Sequence, residues 1–345
     1  MKKLLFIGLA ATAMLAGCSN DETVEMAQQN AIAFDGFVNK STRGIANDIT
    51  NDGTNGTTAF TTFKVWGLMA KDGQTGNPFV GTEVTKNGSN WTYTTPVYWE
   101  NGYNYSFVAL APTSEADNFT APTTVGEYGS IAFDNGDGTT DLIMDTDGTW
   151  ATTAVSTENS CPASINFTFK HLLSRVKFQF TNGMDDGSVI NVTEVKIKDA
   201  NTKATAALSL DNATWTLDTD NLPQELSFGD VILEDNETNF AGNTTKETDH
   251  KYMIPALSDG QKYTVEFTVT RTFNGVTETY KPHEVQLPDV TMEQGHSYAF
   301  VATLKAENIN PDAELCPIEF TATVSGWEDF NTPGTEILPE ENVTE

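Results

Sequence analysis

Basic side chains are scarce in this chain of 345 residues: 19 lysines and arginines stand against 48 aspartates and glutamates, a formal net charge of -29. A surface so short of cations has no stripe with which to neutralise a phosphate backbone, so nucleic acid is excluded as a partner. The acidity serves solubility and mutual repulsion at a crowded surface instead. Histidine is equally sparse. His171, His250, His283 and His296 are scattered, and none has the spacing of a metal site. GxSxG, P-loop and paired-cysteine motifs are absent too. The residues therefore imply no cofactor and no metal and lend an enzyme no support; a lone His171 inside a strand reads as a packed or hydrogen-bonded histidine. Beyond the first residues no apolar run is long enough to cross a bilayer, and amphipathic helical windows are nearly missing.

What the chain does have is short alternating runs of Thr, Val, Phe, Tyr and Trp, split by Asn, Asp and Gly, which is an all-β composition. The strongest run is INFTFKHLLSRVKFQF, residues 165–180. Ile165, Phe167 and Phe169 alternate with polar residues; after His171 the alternation resumes on the other parity, with Val176, Phe178 and Phe180 apolar. A shift of one residue turns every side chain to the opposite face, so the chain must bulge, bend or change sheets between 171 and 174. This stretch reads as the opening of a second sandwich. Strands are also predicted at 31–38, 63–69, 91–95, 97–99, 103–111, 130–133 and 141–144, and in the second half at 192–198, 207–210, 215–217, 263–269, 276–280, 296–304 and 318–324. Asn274-Gly275 marks a hairpin. Trp327 is expected to close the core, and the polar stretch 39–58 is read as a loop or linker.

Residues 1–17 stand apart from the fold. Lys2 and Lys3 precede a short apolar core, and Leu15-Ala16-Gly17 lead directly to Cys18. The LAGC run resembles a bacterial lipobox, which implies acylation of the Cys18 thiol; an ordinary secretory signal is the alternative. The acidic SNDE that follows resembles a surface-export signal of lipoproteins. Cys161 and Cys316 each precede a proline and a strand, so they form either a disulfide or two buried thiols, and the export route permits the bridge.

Two further groups invite a functional reading. DNGDGTTDLIMDTD, residues 134–147, is dense in carboxylates, but its glycines miss the sixth position of a calcium loop and Leu142-Ile143-Met144 interrupts it, so turn chemistry is favoured. Trp91, Tyr93, Tyr98, Trp99, Tyr103 and Tyr105 would suit a sugar platform, while core packing is the commoner use of alternating aromatics. Of three arginines, Arg175 and Arg271 fall in or at the end of predicted strands, and Arg43 alone lies in a polar stretch of the kind where proteolytic nicking concentrates. From the residues alone, processing site and plain surface arginine stand level.

The aromatic pair in VYW at 97–99, SFVALAP at 106–112, DLIM at 141–144 and the FTFKH strand at 167–171 follow one another in an order that resembles the fimbrillin family of surface pilus subunits in Bacteroidales-type bacteria. IPAL, GHSYAF and VSGW continue the likeness, which covers residues 31–330. The resemblance implies two tandem β-sandwich domains of transthyretin-like, Greek-key type. The expected layout is a lipoprotein signal peptide over 1–17, a lipid-anchored propeptide with the first strand over 18–43, sandwiches over 44–158 and 159–330, and an acidic tail over 331–345. It also implies an outer-membrane lipoprotein that an arginine-specific surface protease cuts between Arg43 and Gly44. The cut would discard the strand carrying Ile32, Phe34 and Val38 and let another pilus subunit fill the groove, taking the chain from its lipid anchor into a fimbrium. One feature departs from stalk subunits of the family, in which a C-terminal strand is the donor. Residues 335–345 place Ile337 beside Leu338, then Pro339 and a distant Val343, a poor alternating strand. That puts a polymerising stalk role in doubt and leaves open a tip, accessory or adhesive subunit, with an unspecified host or bacterial surface ligand, or a monomeric surface lipoprotein. The alternative of another class is a monomeric surface lipoprotein that binds carbohydrate for a polysaccharide-uptake system.

Overall fold

The structure is a computed structural model and describes residues 31–38, 48–50, 57–100, 102–145, 162–210, 212–218, 220, 223–233, 244–256, 261–312, 316–327 and 335–337. It is all-β. The first half holds β1 (Phe34–Val38), β2 (Ile49–Thr50), β3 (Thr58–Ala59), β4 (Thr62–Lys71), β5 (Gln74–Asn87), β6 (Asn90–Thr92), β7 (Asn104–Ala111), β8 (Phe119–Thr120), β9 (Ser130–Asp134) and β10 (Ile143–Asp145). The middle continues with β11 (Ile165–His171), β12 (Ser174–Asn182), β13 (Val189–Ala200), β14 (Lys203–Ser209), β15 (Asn212–Leu217) and β16 (Gln224–Leu233). The last part holds β17 (Thr244–Glu247), β18 (Lys251–Met253), β19 (Thr264–Phe273), β20 (Val276–Thr279), β21 (His283–Gln286), β22 (His296–Leu304), β23 (Thr321–Gly326) and β24 (Thr335–Ile337).

A seven-stranded sheet runs in the order β1-β11-β10-β7-β4-β5-β6. It curls until its edges meet: the Ile32 N–H donates to the Val97 carbonyl at 2.8 Å, and Ala31 bridges Tyr98 just beyond β6. The concave side encloses an aromatic core of Phe34, Phe60, Phe63, Phe79, Phe107, Phe167 and Phe169, with Trp91 and Trp99. The convex side packs on a four-stranded sheet, β15-β14-β9-β8, through Trp66, Val108, Leu110, Ile131, Phe133 and Ala206. Central β7 is thus apolar on both faces, as its run of buried residues requires. Farther along, a six-stranded sheet built on β17-β12-β22-β23-β24 faces a five-stranded sheet built on β16-β13-β19-β20, with Phe178, Phe180, Phe267, Phe300 and Phe320 between them.

The change of parity at 171–174 is a change of sheet. β11 delivers Phe167 and Phe169 to the first core, Leu172 and Leu173 lie in the junction, and β12 delivers Val176, Phe178 and Phe180 to the last core. The strand expected to open the second sandwich is therefore, by its hydrogen bonds, part of the first sheet: β11 pairs with β1 and β10. The halves interleave again where β9 pairs with β14. Neither partner is near in sequence, so local alternation carries no trace of the pairing. The stretch 39–58, read as a loop, contains β2, whose Ile49 and Thr50 are buried. Residues 97–99, read as a strand, contribute the single bridge at Tyr98.

Candidate functional site

β1 has the burial pattern of a half-buried strand, with Phe34, Gly36 and Val38 turned inward and Asp35 and Phe37 outward. It lies parallel to β11, Phe34 opposite Ile165 and Val38 opposite Phe169. β1 is held by its side chains, by one ladder to β11 and, just ahead of it, by the bonds of residues 31 and 32 across the closed edge. Phe34 stacks on Phe167 at 5.6 Å between ring centroids and meets Phe79 and Phe107 edge-on at 5.0 and 5.8 Å. Ile32 and Val38 are each 1% exposed. The Tyr93 hydroxyl donates to the Ile32 carbonyl at 2.6 Å, and burial pushes its pKa up, so it remains a donor. At roughly 1.5 to 3 kcal/mol per buried side chain, Ile32, Phe34 and Val38 together contribute about 5 to 9 kcal/mol.

Ten residues after Val38, Asp48 enters the junction between the sheets and meets Arg175 of β12. Both are fully buried. The guanidinium donates from Nη1 to Asp48, from Nη2 to the Trp327 carbonyl at 2.9 Å and from Nε to Ser297 at 3.1 Å. It also lies over the Trp327 ring, 4.7 Å from its centroid. The Tyr252 hydroxyl donates to the second Asp48 oxygen at 2.7 Å. His171 joins the cluster by stacking on Trp327 at 4.2 Å, and its Nδ1 pairs with Asp141 at 2.9 Å, while Asp141 accepts from the Ile49 N–H at 2.8 Å. Burial pushes the Arg175 pKa down and the Asp48 charge beside it pushes it back; a guanidinium stays protonated in either event. Chemically this is an anchor. It ties residues 48–50 to β12, β18 and Trp327 whatever becomes of the chain upstream.

Arg175 and Asp48 are the residues that sequence reading missed. Arg175 occupies the polar parity of β12, which the alternation assigns to solvent, and a covering layer buries that face as well; Lys177 is buried beside it and donates to Glu247 at 2.6 Å. The available signal was the presence of two cations in a strand between apolar residues in a chain with so few cations.

Ile32, Phe34 and Val38 come together in the first core. Cys18, Arg43, Gly44 and Cys161 lie outside the described residues. Cys316 is exposed at the surface, and its expected partner Cys161 lies outside the described residues. The carboxylates of 134–147 serve local structure where they are described: Asp137 accepts from Thr139, Asp141 holds His171 and Ile49, and Asp145 accepts from the Thr168 N–H. Among the described residues no group of three or more metal-ligating side chains gathers. Trp91, Trp99 and Tyr105 are core residues, and of the six aromatics singled out Tyr98 is the most exposed at 43%.

Comparison with known proteins matches the fimbrillin-like family over residues 42–327. Among solved structures, a fimbrial protein from Bacteroides vulgatus is 17% identical with a TM-score of 0.60, covering 86% of this chain and 99% of that one. A candidate cell adhesion protein from Bacteroides ovatus is 16% identical with a TM-score of 0.48, covering 87% and 98%. The fimbrial anchor protein Mfa2 from Porphyromonas gingivalis is 11% identical with a TM-score of 0.36, covering 86% and 97%. No curated protein sequence matches. At such identities the likeness speaks to fold, and the first of the three carries it.

Proposed function

The chain belongs to the fimbrillin-like family, and on that premise we propose that it is a fimbrial subunit or fimbria-associated adhesin whose first strand is exchanged during assembly. The family's proteins are non-catalytic structural and adhesion proteins. The observation that carries the proposal is the position of β1: it closes a curled sheet, holds one ladder to β11, and fills a continuous apolar groove with Ile32, Phe34 and Val38. Extended segments bind such edges by completing the ladder and filling alternate side-chain pockets.

In this reading residues 1–17 direct export, Cys18 is lipidated at the outer membrane, and an arginine-specific protease cuts between Arg43 and Gly44. Release of residues 18–43 frees the chain from its lipid and opens the groove to another subunit. The two sandwiches are of transthyretin-like, Greek-key type, with β11 completing the first. Arg43 suits the cut because Arg175 is buried and Arg271, in β19, is paired with Asp186. The carbohydrate-binding alternative loses support from the burial of Trp91, Trp99 and Tyr105.

Intact-mass analysis of protein shaved from the cell surface tests the reading. A chain beginning at Gly44, and its disappearance in Arg43→Ala, is the expected result. A surface population still carrying acylated Cys18 overturns it.

A further inference from the structure

The imprint that β1 leaves restricts what can replace it. Its inward positions are 32, 34, 36 and 38, and three carry apolar side chains that fill their pockets. At the third the floor of the groove rises. A Cβ added to Gly36 would lie 2.9 Å from Phe63 Cε1, 3.1 Å from Phe60 Cε1 and 3.5 Å from Phe169. Gly36 is not among the residues with positive φ, so space and not backbone conformation requires glycine here.

The rings below have little room to retreat. Phe60, Phe63 and Phe169 are at most 1% exposed. Phe60 packs against Phe169 at 4.7 Å and Trp91 at 5.1 Å, and Phe63 against Trp91 at 5.0 Å and Phe169 at 5.3 Å. Displacing one ring therefore displaces the set, and overpacked cores resist that.

We infer that the strand which replaces β1 carries glycine at this third inward position, between large apolar residues two places before and two places after it, and runs parallel to β11. The inference rests on the exchange reading and names the partner it admits: an extended segment of another subunit with the pattern large-x-Gly-x-large. Residues 328–345 of this chain do not supply it. Their one glycine, Gly334, stands between Thr332 and Glu336 in that spacing, and Thr335–Ile337 already pairs with β23. Two copies of this chain therefore do not join through residues 328–345.

The test uses the full chain treated with an arginine-specific protease and fluorescein-labelled peptides read by anisotropy. The probe AIAFDGFV, the sequence of residues 31–38, is compared with its Gly36→Val and Asp35→Ala forms. The expected result is saturable binding of the parent peptide, equal binding of the Asp35→Ala form because that side chain faces outward, and binding of the Gly36→Val form weaker by about tenfold or more. A Gly36→Val peptide that binds within about twofold of the parent overturns the glycine requirement and leaves strand exchange standing. A parent peptide that does not bind the processed protein overturns strand exchange, and the inference with it. In a Phe63→Leu protein the penalty on the Gly36→Val peptide should shrink; an unchanged penalty there places the selectivity elsewhere and overturns the inference as drawn.

Discussion

Replacing Asp48 with alanine is the sharpest probe of the junction. The substitution strips the carboxylate from a guanidinium buried among Trp327, Ser297 and Tyr252, and takes the acceptor from the Tyr252 hydroxyl. Breaking a buried pair from one side leaves an uncompensated charge, which costs about 3 to 5 kcal/mol. Removing both partners is a different perturbation, because Asp48→Leu with Arg175→Met exchanges two desolvated charges for apolar volume. That double variant should recover most of the loss, with a coupling of about 2 kcal/mol or more between the sites. Urea unfolding followed by tryptophan emission measures both, and Trp327, stacked against the guanidinium and against His171, reports the junction directly. An Asp48→Ala midpoint that corresponds to less than about 1 kcal/mol of destabilisation would refute the anchor. So would strict additivity in the double variant.

Three further outcomes follow from the same geometry. Phe34→Ala should destabilise the full chain by about 3 to 5 kcal/mol and, if β1 is removed as proposed, leave the protease-processed chain unchanged; urea midpoints before and after cleavage decide it. Burial pushes the pKa of His250 down from 6.5 to about 4, next to Tyr252. Between those values the unfolded chain binds a proton that the folded chain refuses, so stability falls as pH drops from 6.5 toward 4, by at most about 3 kcal/mol. His250→Gln should flatten that part of a stability-against-pH profile measured by urea unfolding. Arg271→Ala, which loses the partly exposed pair with Asp186, should destabilise by about 1 kcal/mol or less in the same urea measurement.

Much of the fold is written locally in this chain. The alternation of residues 165–180 and its slip of parity locate the crossing between sheets, and Asn274-Gly275, both at positive φ, makes the turn from β19 to β20. Trp327 closes the junction as its place after an alternating strand suggests. What escaped the reading shares one cause: the partner is distant or the face is unusual. β5 was invisible because across its 14 residues only Phe79 and Val84 are buried, so it looks polar throughout. β16 was hidden by a slip of its own, Leu226 and Phe228 on one parity and Val231 and Leu233 on the other, opposite the bulge of β13. The buried face of Arg175 and Lys177 breaks the rule that charge marks solvent, and the rule fails because each cation is met by a carboxylate from far along the chain, Asp48 or Glu247.

The same long-range pairing would let the domain keep its fold if β1 were removed as proposed. β1 and Asp48 are neighbours in sequence but belong to different packing units: β1 to the aromatic core inside the curled sheet, Asp48 to the junction around Arg175 and Trp327. A cut between Arg43 and Gly44 would fall between them, and Gly44 would stand four residues ahead of Asp48. Among the described residues upstream of the cut, the β11 ladder, the bonds of residues 31 and 32 to Tyr98, Val97 and Tyr93, and the packing of β1 would come away, a local opening with its own free energy. Downstream, Ile49 remains bonded to Asp141, and the Thr58 N–H remains bonded to the Asp48 carbonyl at 2.8 Å. Phe60, which follows directly, floors the groove at Gly36, and its own N–H donates to the Thr50 carbonyl at 2.6 Å. The anchor therefore does more than retain a new chain end. By fixing residues 48–50 it fixes the strand pair that holds Phe60 in place, so under the proposed exchange the shape that would select an incoming strand is carried by residues that would stay behind.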